Sequence, residues 1–244
     1  FWTDPFEINV SNEFHFFTPS DSVQDVTLFA KYTLRADEMF LNRMIGGTFE
    51  GSNDPDFREK EVLYLINEKP KRLQTVVQSY SSKSYRYVRY IGPKDSHCNI
   101  AEAAFYTPND TASLKGKVIG TPGCFQKDGS HEYTNVFDGD VTTSFDYIEP
   151  SGGWSGLDLG TPKQIGRIVY TPRSYDNYIR SGDDYELFYC ARRNNWKSLG
   201  DQRSKADSLI YIKIPVNALL LLCNNKRGIQ ERIFVYTAAE QIWK

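Results

Sequence analysis

"SLIYIKIPVNALLLLC", residues 208–223, decides the fold class of this chain, because two kinds of β-strand stand side by side in it. In the first half, Ile210, Ile212 and Ile214 are set to point one way, with Leu209, Tyr211 and Lys213 set to point the other. A period of two is the mark of a half-buried strand. The second half, "ALLLLC" (218–223), has no alternation and is expected to be a central strand covered on both faces.

The same reading extends outward along the chain. "VTLFAKYTL" (26–34), "EVLYLI" (61–66), "YRYVRYI" (85–91), "AEAAFYT" (101–107), "IGRIVYT" (165–171) and "YELFYC" (185–190) are further strand candidates, separated by clusters of Gly, Pro, Asn and Asp. Aromatic residues make up 14% of the chain, 16 of them tyrosine, which favours antiparallel β-structure. A short helix is expected only within residues 35–44. The chain is therefore read as all-β.

Charge and hydropathy narrow the partners. The formal net charge of −2 provides no positive field for a polyanion, and basic clusters stay as short as Arg192–Arg193, so nucleic acid is not expected. The longest fully apolar candidate, residues 218–223, is far below the roughly 20 residues a membrane helix needs. Phe1 stands where an initiating methionine would, so the chain reads as a piece of something longer. The cysteines Cys98, Cys124, Cys190 and Cys223 lack C-x-x-C spacing and are read as buried thiols, with a Cys190–Cys223 bridge left open.

An internal similarity suggests the organisation. "YRYVRYIGPKDSHCNIAEAAFYT" (85–107) resembles "NALLLLCNNKRGIQERIFVYT" (217–237): a strand, a polar loop, then Ile-x-Glu-x-x-Phe, matching Ile100, Glu102 and Phe105 with Ile229, Glu231 and Phe234. A gapless second pairing lays residues 43–64 on 167–188. Two related β-modules follow, at 26–110 and 117–244, divided in the loop "TPNDTASLKG" (107–116), with 1–25 as leading strands or the tail of a preceding domain.

"NVFDGDVTTSFD" (135–146) is neither helix nor strand. Asp138, Asp140 and Thr143 surround the permissive Gly139, an arrangement that suits a hard cation such as calcium if a remote carboxylate joins, and Glu231 is the expected supplier. The alternative is an Asx turn in which the aspartates bond only to local amides.

The stretch "YTNVFDGDVTTSFDYIEPSGGWSGLDLGTPKQIGRIVYTPR" resembles the core signature of discoidin or coagulation-factor type C domains, over roughly residues 117–237, with "ERIFVY" similar to that family's last strand. The whole chain is similar to paired C-terminal modules of secreted Bacteroidales proteins. The resemblance implies two galactose-binding-like jelly-roll β-sandwich modules in tandem, a structural calcium at Asp138, Asp140, Thr143 and Glu231, and a secreted, periplasmic or cell-surface location. This sequence departs from the pattern with Phe145 in place of tryptophan and Gln230 in place of a small residue.

For catalysis the sequence nominates no constellation. His15, His97 and His131 form no metal-binding pair, and no nucleophile elbow or phosphate-cradling glycine loop occurs. Sugar binding asks for a flat aromatic and a few fixed polar groups. Tyr147, Arg173, Tyr175, Asn177, Tyr178 and Arg180 could supply them from neighbouring loops, with packing roles as the alternative, and Trp154 is read as core. The expected function is non-catalytic binding of a glycan or cell-surface polysaccharide; the alternative is a scaffold that positions a neighbouring catalytic domain.

Overall fold

The computed structural model describes residues 3–192 and 195–244, and among these the side chains of all but residues 34, 36 and 229–231. The chain is all-β. In chain order its strands are β1 (Phe6–Ile8), β2 (Phe14–Phe16), β3 (Val23–Leu28), β4 (Thr48–Ser52), β5 (Lys60–Leu65), β6 (Thr75–Gln78), β7 (Ser84–Ile91), β8 (Ile100–Tyr106) and β9 (Lys117–Gly120). There follow β10 (Trp154–Gln164), β11 (Arg167–Pro172), β12 (Asp184–Ala191), β13 (Asn195–Arg203), β14 (Leu209–Pro215), β15 (Leu220–Asn224), β16 (Ile229–Thr237) and β17 (Glu240–Trp243). The expected helix is present as α1 (Glu38–Asn42), which buries Phe40 and Leu41.

Backbone contacts group the chain into two compact units. One is continuous, Ala36–Asp176; the other joins Phe1–Arg35 with Asn177–Lys244. The continuous unit has an antiparallel sheet in the order β5-β4-β7-β10-β9 and another in the order β6-β11-β8. Phe49, Val88, Tyr90 and Leu157 from the first sheet share one buried cluster with Ile100, Phe105, Ile168 and Tyr170 from the second. Side chains alternate across each strand, so two sheets that bury their inner faces together form a sandwich. The outer face of the larger sheet holds a buried ion pair: Arg89 of β7 donates to Glu50 of β4 at 2.7 and 2.8 Å. Its guanidinium lies 4.0 Å from the ring centroid of Phe57 and 5.2 Å from that of Trp154. Gly156 makes room for it, since a Cβ there would come within 2.3 Å of the Val88 carbonyl oxygen and 2.7 Å of Arg89 Cβ.

The two-segment unit has a sheet in the order β13-β12-β15-β16-β17 and a β14-β3 pair. Its core joins Val26 and Leu28 of β3, Leu209 and Tyr211 of β14, and Leu187, Leu222 and Phe234 of the larger sheet. "ALLLLC" supplies the central strand β15, and a second cluster of Phe17, Cys190, Leu219 and Val235 covers apolar groups that the main core does not. Asp183 is buried and bonded to Asn224, Arg227 and Lys226; despite the opposing cost of burial, these partners hold its carboxyl well below the usual range.

Several expectations are corrected. The three isoleucines of β14 do not share a face: Ile210 and Ile212 are 61% and 64% exposed, whereas Ile214 is buried with Leu209 and Tyr211. The pairing with β3 shifts register between Tyr211 and Ile214, and Lys213 takes φ +56° there. This bulge flips the later residue to the other face. The expected boundary at 107–116 falls inside the continuous unit, because β7 pairs with β10 and β8 with β11 across it. The units are thus not consecutive stretches of chain.

The internal repeat shares a pattern but no topology. β15 and β16 form a hairpin in one sheet, while the eight-residue loop 92–99 carries the chain from β7 in one sheet to β8 in the other. Trp154 is half-buried on the outer sheet face instead of in the core. Cys223 lies opposite Glu186, which precedes Cys190 by four residues on β12. That spacing is about 13 Å along a strand, beyond disulfide reach.

The bulge gives a direct test. Lys213→Val forces a β-branched side chain into a left-handed conformation and should cost about 1–2 kcal/mol in urea unfolding. Lys213→Gly keeps the amide bond to Asp25 and should unfold close to wild type. Equal stability of the two variants would show that the bulge is misplaced.

Candidate functional site

At one end of the continuous unit, the segments that leave β7, precede β8 and follow β11 come together with α1 and residues 144–147. Asp146 organises them. It is buried, and its two carboxylate oxygens accept from Asn99 Nδ2 at 2.6 Å and Arg173 Nη1 at 2.5 Å. Asn99 in turn accepts from Arg43 Nη1 at 2.5 Å. The result is a chain Arg43–Asn99–Asp146–Arg173 in which every polar group is oriented by its neighbour. Such a network fixes donors more firmly than isolated surface arginines would.

Aromatic rings flank this chain. The Arg173 guanidinium lies 4.9 Å from the centroid of the buried Phe40 ring, and Tyr175 packs on the same ring at 4.9 Å. Tyr175 is 60% exposed, and its amide donates to Asp37 at 2.8 Å, so its backbone is held while its ring faces water. Nearby, the Phe125 amide donates to the Asp146 carbonyl, and the Phe125 ring, 56% exposed, meets His97 edge-on. Tyr147 is half-buried, its amide bonded to the His97 carbonyl. Fixed cations beside exposed rings can hold a ligand that has both oxygen acceptors and an apolar face.

The six expected ligand residues divide. Arg173, Tyr175 and Tyr147 belong to the continuous unit and to this loop cluster. Asn177, Tyr178 and Arg180 belong to the two-segment unit. Asn177 is fully buried and accepts from the amides of Lys31 and Tyr32, which is a structural cap on a turn. Tyr178 is buried and bridges Ala30. The Arg180 amide donates to the Tyr185 hydroxyl. Arg43, Asn99, Asp146 and Phe40 escaped the sequence reading because nothing in their local patterns links residues 47 and 56 positions apart.

The Asp-Gly-Asp turn has the local bonds of an Asx turn. Asp138 accepts from the Asp140 amide and Asp140 from the Thr142 amide, both at 2.8 Å, while Thr143 Oγ1 donates to Asp138 at 2.8 Å. A remote carboxylate does reach the turn, but it is Glu102, which accepts from the Gly139 amide at 2.8 Å. The Glu231 side chain lies outside the described residues, and its strand belongs to the other unit. Glu102 occupies the matching place in the repeated Ile-x-Glu-x-x-Phe pattern, so the signal was present in the wrong copy.

Burial, and then the hydrogen-bonded carboxyl of Asp138, push the Glu102 carboxyl up to about 8. Two carboxyl groups in contact are stable when they share a proton or a cation bridges them. Oxygen-only donors of this kind suit a hard cation, although no cluster of three or more acidic, imidazole or thiol side chains occurs among the described residues.

The carboxyl pair predicts a pH dependence in chelator-treated protein. The folded Glu102 keeps its proton to higher pH than its ordinary value of 4.5, so stability should fall as pH rises between about 4.5 and 8. Glu102→Gln should flatten that part of the profile of melting temperature against pH. A slope unchanged by the substitution would contradict the pairing.

Compared with known proteins, the chain matches no family model, no curated protein and no solved structure at a significant level.

Proposed function

We propose that this chain is a non-catalytic carbohydrate-binding or adhesion module of the galactose-binding-like type, borne by a larger secreted or cell-surface protein. Its ligand surface is the loop end of the continuous unit. The observation that supports this most is the exposed Tyr175 ring beside Arg173, whose guanidinium is locked by Asp146 and Phe40. A pyranose presents an apolar face to such a ring and its hydroxyls to the arginine and to Tyr147. The part of the discoidin-like stretch that lies in this unit, residues 133–173, points the same way.

Calcium at the Asp-Gly-Asp turn belongs to this reading as a structural element. The carboxyl pair Asp138 and Glu102 would hold it, with Thr143 bracing Asp138 and the Asp140 carboxylate bonded to the Thr142 amide beside them. Calcium held there would neutralise the charge of the carboxyl pair, and Glu102 of β8 already ties the turn through the Gly139 amide.

A second reading, a scaffold that positions a neighbouring domain, draws on the β1-β2 hairpin. Phe6, Phe14 and Phe16 pack on one another there with ring centroids 5.2, 5.6 and 6.4 Å apart while remaining 42%, 59% and 44% exposed. Apolar surface of that kind suits a protein partner better than a sugar.

Two measurements test these readings. On a glycan array at millimolar sensitivity, the wild type should bind, and Tyr175→Ala should weaken binding about tenfold through loss of one aromatic platform. No binding by the wild type would leave the scaffold reading. Separately, calcium should raise the melting temperature and a chelator lower it, while Asp138→Asn abolishes the shift. A melting temperature indifferent to both would remove the metal.

A further inference from the structure

The loop cluster displays a second exposed ring, that of Phe125, and its backbone is held from both sides. Cys124 bridges Tyr147, and the Phe125 amide donates to the Asp146 carbonyl at 2.8 Å. The ring nonetheless faces water and meets His97 edge-on at 5.2 Å. A phenylalanine has no polar tip to hydrate, so a fixed backbone that turns it outward leaves apolar surface uncovered. The half-buried His97 is fixed as firmly. Its amide donates to the Pro150 carbonyl at 3.1 Å, its carbonyl accepts from the Tyr147 amide at 2.7 Å, and its Nδ1 lies 2.9 Å from the Tyr147 carbonyl. A carbonyl only accepts, so Nδ1 carries the hydrogen and Nε2 of the neutral ring is an acceptor. Among the described residues no hydrogen bond engages Nε2. Asp95, His97 and Cys98 all hold left-handed backbone, with φ +59°, +54° and +55°. That conformation costs a non-glycine residue and persists where the surrounding structure imposes it.

We infer that Phe125 and His97 form a second sugar subsite, so that the loop end takes an extended chain of pyranose units instead of a single terminal sugar. This subsite rests on the loop-end reading and extends it. Tyr175 with Arg173 is one platform, with a donor beside the ring; Phe125 with His97 is the other, with an acceptor beside the ring. Asp146 fixes both, since its carboxylate holds Arg173 and its carbonyl holds Phe125. The apolar face of a sugar ring covers the phenylalanine, and one of its hydroxyls donates to Nε2. A carboxylate or sulfate group brings only acceptors and finds no donor in this pair. The unit bound at the second platform is therefore a neutral one.

A glycan array carrying galactose, mannose, glucose and xylose together with their linear oligomers, probed with the whole chain, tests the second subsite apart from the first. In the series that binds, the oligomer should bind at least about tenfold more tightly than its monosaccharide. Phe125→Ala lies at an exposed position and should retain the wild-type melting temperature while removing that advantage and leaving the monosaccharide affinity as it was. His97→Asn keeps a residue type that tolerates left-handed backbone and an N–H for the Tyr147 carbonyl, but it loses the Nε2 acceptor. It should weaken the oligomer about threefold to tenfold. Tyr175→Ala should weaken monosaccharide and oligomer alike. Equal binding of monosaccharide and oligomer, or an advantage of the oligomer undiminished by Phe125→Ala or by His97→Asn, would overturn the second subsite and leave the first intact. Absence of binding by every member of the array would overturn both.

Discussion

The contact on which the continuous unit depends is the one made by Phe49. Its ring lies 5.0 Å from Tyr90 in its own sheet, and 5.3 and 6.0 Å from Tyr170 and Phe105 in the facing sheet. All four rings are essentially inaccessible to water. Aromatic side chains of this size fill the space between two sheets, and tilted or edge-on contacts fix their mutual angle. The strands that contribute them, β4, β7, β8 and β11, therefore cannot slide without losing the fit. The segments at their ends inherit that rigidity. Residues 92–99 leave β7 and residues 173–176 follow β11, so Asn99 and Arg173 begin from a fixed base.

Electrostatics does its part where the chain leaves the sheets. Asp146 is buried enough to be costly if unpaired, and it is satisfied by Asn99 on one oxygen and Arg173 on the other. The arginine is thereby presented in one orientation, with Phe40 beneath it. At the Asp-Gly-Asp turn the logic is reversed. Glu102 and Asp138 are brought together with like charge, and the pair needs a shared proton or a bridging cation to be comfortable. One set of loops thus holds a hydrogen-bonded network with two arginines to one carboxylate, the other a pair of carboxyl groups that keeps a proton. The outer sheet face shows a third solution, in which the Arg89–Glu50 pair is closed over by Phe57 and Trp154 and belongs to the architecture alone.

Legibility followed the range of the interactions. Strand positions such as 61–66, 85–91, 101–107 and 185–190, the central place of "ALLLLC" and the short helix within 35–44 rest on neighbours a few residues apart, and they could be read from pattern. The glutamate of Ile-x-Glu-x-x-Phe was recognisable as a residue of interest, yet which copy would meet the turn was not. Of the candidate site, Arg173, Tyr175 and Tyr147 were legible as polar and aromatic loop residues. Their partners Arg43, Asn99 and Phe40 were not, and Asn177 and Tyr178, of the same residue types in the same loop, turned out to be packing groups.

The sequence by itself determined that this is an all-β protein with a buried aromatic core and polar loops, because alternation and composition act locally and survive any arrangement of the strands. Only the tertiary structure decided which strands share a sheet, which half supplies the carboxylate for the Asp-Gly-Asp turn, and which arginines are held. Pairings such as β7 with β10 and β8 with β11 are hydrogen bonds between backbone groups, which carry no side-chain signature. A single bulge at Lys213 can reverse the face of Ile214 without altering the pattern that precedes it.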